Sequence, residues 1–183
     1  KSKVAAMTAA GCQKILFFPL YPHYAGATSA TANDAFFAAL AKEKWQPSAR
    51  TVPAYFDRAD YIDALANSIE TAYAAAKTKP DLLICSYHGV PIRYLMEGDP
   101  YHCQCQKTTR LLKERLGWND TQIMTTFQSK CIETLEEINE EIKESFEHAG
   151  GEHFTYIPCL NDDGAHIAAL SNIIKENLQG WLD

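Results

Sequence analysis

The chain has 183 residues, 46% of them apolar and 22% charged, the balance of one folded domain rather than a disordered segment. Its 17 basic and 23 acidic residues leave a net charge of −6, which argues against a nonspecific grip on nucleic acid. The longest apolar stretches, such as Ile15 to Leu20, are too short to span a bilayer. No apolar leader follows Lys1-Ser-Lys-Val, so a cytoplasmic protein with reduced thiols is expected. No repeat or Pro/Ser-rich linker divides the sequence, and residues 1–183 read as a single α/β region.

Strand-like and helix-like segments alternate after an Ala-rich start. Lys14 to Leu20 reads as a buried strand, Ser29 to Lys44 as a helix, and Arg50 to Tyr55 as a shorter strand with Pro53 near its end. Asp60 to Lys77 reads as a helix with Leu65, Ile69 and Tyr73 four apart on one face. Asp81 to Ser86 is the clearest central strand. A loop from His88 to Tyr101 leads into a helix from Gln104 to Leu116, ended by Gly117. Gln122 to Phe127 is a further strand, Ile132 to His148 an acidic helix, Phe154 to Pro158 a last strand and Gly164 to Leu182 a last helix. This alternation predicts a three-layer, doubly wound fold, a mostly parallel sheet with helices on both faces.

In such folds the ligand crevice lies beyond the carboxyl ends of the strands. Those tips are Tyr21-Pro-His-Tyr24, Tyr87-His-Gly-Val-Pro91, Gln128-Ser129 and Cys159-Leu-Asn-Asp162. His88 follows the strongest strand, where an imidazole can accept a proton or bind a borderline metal ion. Spacing alone favours a loop histidine bonded to backbone. On the acidic helix, Glu133, Glu137, Glu140 and Glu144 form a stripe beside the apolar row of Ile132, Leu135, Ile138, Ile142 and Phe146. Like charges at that spacing repel, so the stripe either receives a cation or is a solvated face.

The six cysteines include Cys85 and Cys159, placed where a thiol acts as a small buried hydrophobe, and Cys103-Gln-Cys105, half of a four-thiolate site. Asp99 and Tyr101 lie in a turn that can present them to a ligand. No Walker loop, GxGxxG, GxSxG or HExxH occurs.

Together these blocks resemble ferrochelatase, which inserts ferrous iron into a porphyrin. The carrying stretches are Leu20-Tyr-Pro-His-Tyr24 with Ala27-Thr-Ser29, then Ser86-Tyr-His-Gly-Val-Pro91 followed by Gly98-Asp-Pro-Tyr101. Thr126-Phe-Gln-Ser129, Glu133-Thr-Leu-Glu-Glu137 and Tyr156-Ile-Pro-Cys-Leu-Asn-Asp162 complete the set. The likeness runs over nearly all of the chain, as roughly the C-terminal half of a two-lobe family. That family also carries an N-terminal portion, and after the Lys130 position a loop and another strand; here Lys130 runs directly into Cys131.

The resemblance implies that His88 is the active-site histidine, accepting pyrrole protons or contacting metal, and Glu133 the pocket glutamate and second metal contact. It implies that Glu137 lines the metal and proton path and that Tyr21, Pro22 and Tyr24 lie against the macrocycle. Protoporphyrin and ferrous iron are the implied substrates, with coproporphyrin or cobalt insertion, or a non-catalytic porphyrin- or haem-binding remnant, as alternatives. Some members carry a [2Fe-2S] cluster, for which Cys103 and Cys105 would be two of four ligands. An apolar substrate also suits peripheral contact with the inner membrane. Oligomeric state is not legible.

Overall fold

A computed structural model describes residues 3–128, 140 and 142–182. Helix α1 (Lys3–Ala9) precedes β1 (Lys14–Phe17). A single π-type turn over Gly26–Ala30 runs into α2 (Thr31–Leu40), and β2 (Ser48–Thr51) follows. β1 and β2 pair in parallel, from Lys14 opposite Ser48 to Phe17 opposite Thr51. Ile15, Phe36, Leu40 and Val4 bury together there, and Phe17 stacks on Phe36 with ring centroids 4.6 Å apart.

Helix α3 (Ala59–Ala75) buries Tyr61, Ile62, Ala66 and Ile69, the i, i+3/i+4 stripe that an amphipathic helix turns to a core. Leu65 and Tyr73 pack against the same cluster. Strand β3 (Leu83–His88) pairs in parallel with β4 (Ile123–Gln128), from Leu83 opposite Ile123 to His88 opposite Gln128. Between them lie α4 (Ile92–Met96) and α5 (Tyr101–Leu116). Gly117 ends α5 at φ +66°, the left-handed position that suits glycine. Helix α6 (Lys143–His148) and α7 (Gly164–Asn177) complete the order. Asp163 caps α7 by accepting from the Ala165 and His166 amides. Arg58, before α3, binds both Asp60 and Glu176 and so ties α3 to the end of α7.

The protein is thus α/β, with parallel strands flanked by helices as the alternation predicts. The described strands form two ladders of two, β1–β2 and β3–β4. One core cluster joins Val52, Tyr55, α3, Leu112 of α5, Ile123 and Ile173 of α7. The other face of β3–β4 is open among the described residues: Ile84 and its register partner Met124 are 52% and 42% exposed.

Three expectations change. Phe154 to Pro158 is not a strand: Ile157 and Leu160 pack on the core, but the segment joins no ladder among the described residues. Pro158 carries no amide hydrogen to donate to one. The helix expected from Gln104 begins at Tyr101, just after Pro100, and Asp99 Oδ1 accepts from the Tyr101 amide at 2.9 Å, giving that otherwise unpaired first amide a partner. Cys159 is exposed rather than buried, standing past the core-packed Ile157. Of the acidic helix, residues 129–139 and 141 lie outside the described residues, and with them Cys131, Glu133 and Glu137. Glu140 and Glu144 are exposed.

Candidate functional site

The tip of β1 and the tip of β3 meet over the first turns of α5. The Tyr24 amide donates to Gln104 Oε1 at 2.7 Å, and the Gly26 amide to Asp99 Oδ2 at 2.7 Å. Asp99 therefore spends one oxygen on the Tyr101 amide at the start of α5 and the other on the β1 tip. It fastens the site rather than presenting itself to a ligand. The Tyr55 amide donates to Pro22 O at 2.9 Å and fixes the same loop from the β2 side.

His23 lies at the centre of this junction. Its ring is 5.5 Å from Tyr87 and 6.0 Å from each of Phe56 and Tyr101. Its Nε2 is 2.8 Å from Thr108 Oγ1, whose hydroxyl donates to Phe56 O at 2.9 Å. Burial lowers the His23 pKa from 6.5 to about 4, so the ring is neutral at physiological pH. Tyr87, bonded to Thr109 Oγ1 at 3.1 Å, is held well above the usual tyrosine range by its burial. His102 stacks on Phe127 at 4.6 Å. The sequence ranks His23 below His88, since the partner that orders it is 85 residues away. The one available signal was a histidine in an aromatic strand tip.

Tyr21 and Tyr24 line one cavity of about 290 Å³, with Ser29 and Asn33 of the turn and helix behind them, Pro53 beyond β2 and Gln104 of α5. Pro22 is part of the same loop, half-buried and bonded through its carbonyl. His88 is the last residue of β3 and is exposed. Strand alternation sends Tyr87 to the α5 face and His88 to the opposite one, in line with Ser86 and the exposed Ile84. Tyr21, Pro22 and Tyr24 therefore share a loop, while His88 stands at a neighbouring tip, on the face of β3 turned away from α5.

A cluster on Cys103 and Cys105 does not fit. Both lie within α5, where residues two apart point to opposite sides. Cys103 is exposed, whereas Cys105 is fully buried and its thiol is pushed up to about 12, far from the thiolate that iron needs. Among the described residues no three His, Cys, Asp or Glu side chains gather as metal ligands. Cys85, half-buried against the core cluster and pushed up to about 11 by desolvation, packs there as a small hydrophobe. Among the described residues no helix is long and apolar enough to cross a membrane.

Comparison with known proteins supplies the family. The ferrochelatase family model matches residues 1–131 and 129–178, two stretches that meet where Lys130 precedes Cys131. The chain is 57% identical over 97% of its length to a protein of Rhodobacter capsulatus named ferrochelatase, of which it covers 61%. It is 48% identical over its whole length to a ferrochelatase of Allorhizobium ampelinum and 45% identical over 99% to one of Rhizobium meliloti, covering 63% and 64% of them. The chain thus spans a little under two thirds of these relatives. The second alignment runs over 218 positions for 183 residues, so some 35 of its positions face no residue of this chain. On both counts, profile and relatives, the chain belongs to the ferrochelatase family.

Proposed function

We propose that this chain inserts ferrous iron into protoporphyrin IX, as the greater part of a ferrochelatase acting in haem biosynthesis. The observation that carries the reading is an exposed imidazole, His88, at the carboxyl end of a parallel strand beside a tip lined by aromatic rings. That is where open α/β sheets take their ligands. Family membership supplies the reaction class.

Metalation removes two pyrrole protons as one divalent cation enters, so charge is conserved when both protons leave. An imidazole is a suitable acceptor near neutrality, and carboxylates lower the cost of bringing in a cation that has shed water. In this reading His88 accepts the pyrrole protons or contacts the iron. Glu133 is the second contact and Glu137 extends the path for metal and protons. Tyr21, Pro22 and Tyr24 bear on the macrocycle. Imidazole and carboxylate together suit Fe²⁺ and also accept Zn²⁺ or Co²⁺.

The test follows free porphyrin by its fluorescence while Fe²⁺ or Zn²⁺ is added. Steady metal-dependent loss of fluorescence, abolished by His88→Ala, is the expected result. Full activity in His88→Ala would remove the assignment. Glu133→Gln should slow insertion more than it weakens porphyrin binding. A second reading, a chain that holds porphyrin without turnover, draws on the 35 alignment positions that face no residue here. It predicts a spectral change on mixing with no metal-dependent progress.

A further inference from the structure

We propose that His23 is a positioning residue that couples the β1 tip to the β3 tip and so sets where His88 stands during metal insertion. The functional part of this rests on the reading of His88 as proton acceptor or metal contact. Thr108 and Thr109 are consecutive on α5 and both buried, at 1% and 7% exposure. Thr108 Oγ1 lies 2.8 Å from His23 Nε2, and Thr109 Oγ1 lies 3.1 Å from Tyr87 Oη. Neighbouring helix positions point about 100° apart, so α5 holds the β1 tip with one hydroxyl and the β3 tip with the next. The His23 and Tyr87 rings also meet edge-on, 5.5 Å between centroids and 84° between planes. That contact closes the circuit. Two tips gripped by one helix and packed on each other have little freedom to shift independently.

Tyr87 passes this restraint to His88 through a single peptide bond. Its hydroxyl is held by Thr109 and its ring by His23 and by Phe127, 5.8 Å away. Successive strand residues face opposite sides, so any turn of β3 that re-aimed His88 would drag Tyr87 out of that packing. On the other strand, His23 stands between Pro22 and Tyr24. One imidazole thus spans the loop that carries the tyrosines and the strand that carries the acceptor. A side chain that only filled space would need volume alone, whereas His23 Nε2 is within hydrogen-bond reach of Thr108, a directional contact that an aliphatic residue cannot make. Proton transfer is sensitive to such placement: a displacement of about 1 Å can cost on the order of 100-fold in rate.

The test measures zinc insertion into protoporphyrin IX, with porphyrin affinity read separately from fluorescence quenching without metal. In His23→Leu, which keeps apolar bulk and loses the ring N–H, kcat is expected to fall roughly tenfold while porphyrin affinity stays within about twofold, the signature of lost orientation rather than lost binding. His23→Gln, whose amide can still reach Thr108, should restore most of the rate. Thr109→Val frees the Tyr87 hydroxyl and should reproduce the loss from the other arm; it carries the test should His23→Leu fold poorly. Val4→Ala, in the separate cluster with Ile15 and Phe36, should lower stability and leave kcat unchanged. An unchanged kcat in His23→Leu, a loss of affinity in place of kcat, no recovery in His23→Gln, or an equal fall in Val4→Ala would overturn the proposal. Absence of insertion in the unaltered chain would remove the His88 reading, and ¹⁵N–¹H NMR then decides the coupling. His23→Leu should move the Tyr24 and Tyr87 amide signals together and His23→Gln much less; a change confined to one tip would overturn it.

Discussion

His23 Nε2 carries the proton in its hydrogen bond with Thr108 Oγ1. The Thr108 hydroxyl has one hydrogen and gives it to Phe56 O at 2.9 Å, so at 2.8 Å the imidazole must be the donor. One side chain of α5 thereby holds the β1 tip and the segment after β2 in a single chain of bonds.

That arrangement gives stability a defined pH dependence. The folded-state pKa of His23 is lowered from 6.5 to about 4 by burial, so between those values the unfolded chain binds a proton that the folded one does not. The stabilisation from the neutral ring is complete above about pH 6.5 and is lost as pH falls toward 4. The full effect is about 3 kcal/mol. Urea unfolding at pH 7 and pH 4.5 should show most of that loss, and His23→Gln, which cannot titrate, should show a smaller one.

Thr108→Val removes the hydroxyl and leaves two buried groups unpaired, the His23 N–H and the Phe56 carbonyl. The expected loss is about 1–3 kcal/mol, read as a lower urea midpoint with an unchanged slope. Thr108→Ser keeps the hydroxyl and should recover most of it.

Asp99→Ala releases the Tyr101 and Gly26 amides together. Each hydrogen bond lost costs about 1 kcal/mol, and the untied β1 tip should raise hydrogen exchange at Gly26 and Tyr24. Porphyrin affinity is expected to fall with it, since Tyr21 and Tyr24 lose one of their anchors. Affinity measured by fluorescence quenching checks this.

His88→Ala changes an exposed strand end. Its unfolding free energy should stay within about 0.5 kcal/mol of the unaltered chain, while metal insertion falls by at least about 100-fold, the scale of a lost general base. Parallel loss of stability and activity would mark His88 as structural.

Where local pattern governs, the sequence was legible. The four-residue spacing of Leu65, Ile69 and Tyr73 marked the core face of α3, Gly117 ended α5, and the run from Asp81 to Ser86 announced β3. What required a distant partner was not. An apolar run such as Phe154 to Pro158 suits a strand, yet a strand exists only beside another, and none is in place among the described residues. Cys103 and Cys105 suggested paired ligands, but α5 starts at Tyr101 and sets both on a helix, two residues apart and facing opposite sides. At the site, the tyrosines of the β1 tip were readable from motif. The bond that orders their loop joins residues 85 apart.

The split of the described strands into two ladders has a consequence for handling the protein. Each pair leaves outer rows of backbone amides and carbonyls with no further strand alongside among the described residues, and such margins template the addition of extended chain. Growth of thioflavin-positive material in concentrated samples would mark those margins as uncovered, and its absence would mark them as covered. A short peptide methylated on alternate amide nitrogens, able to dock on a margin but not to extend it, should delay that growth.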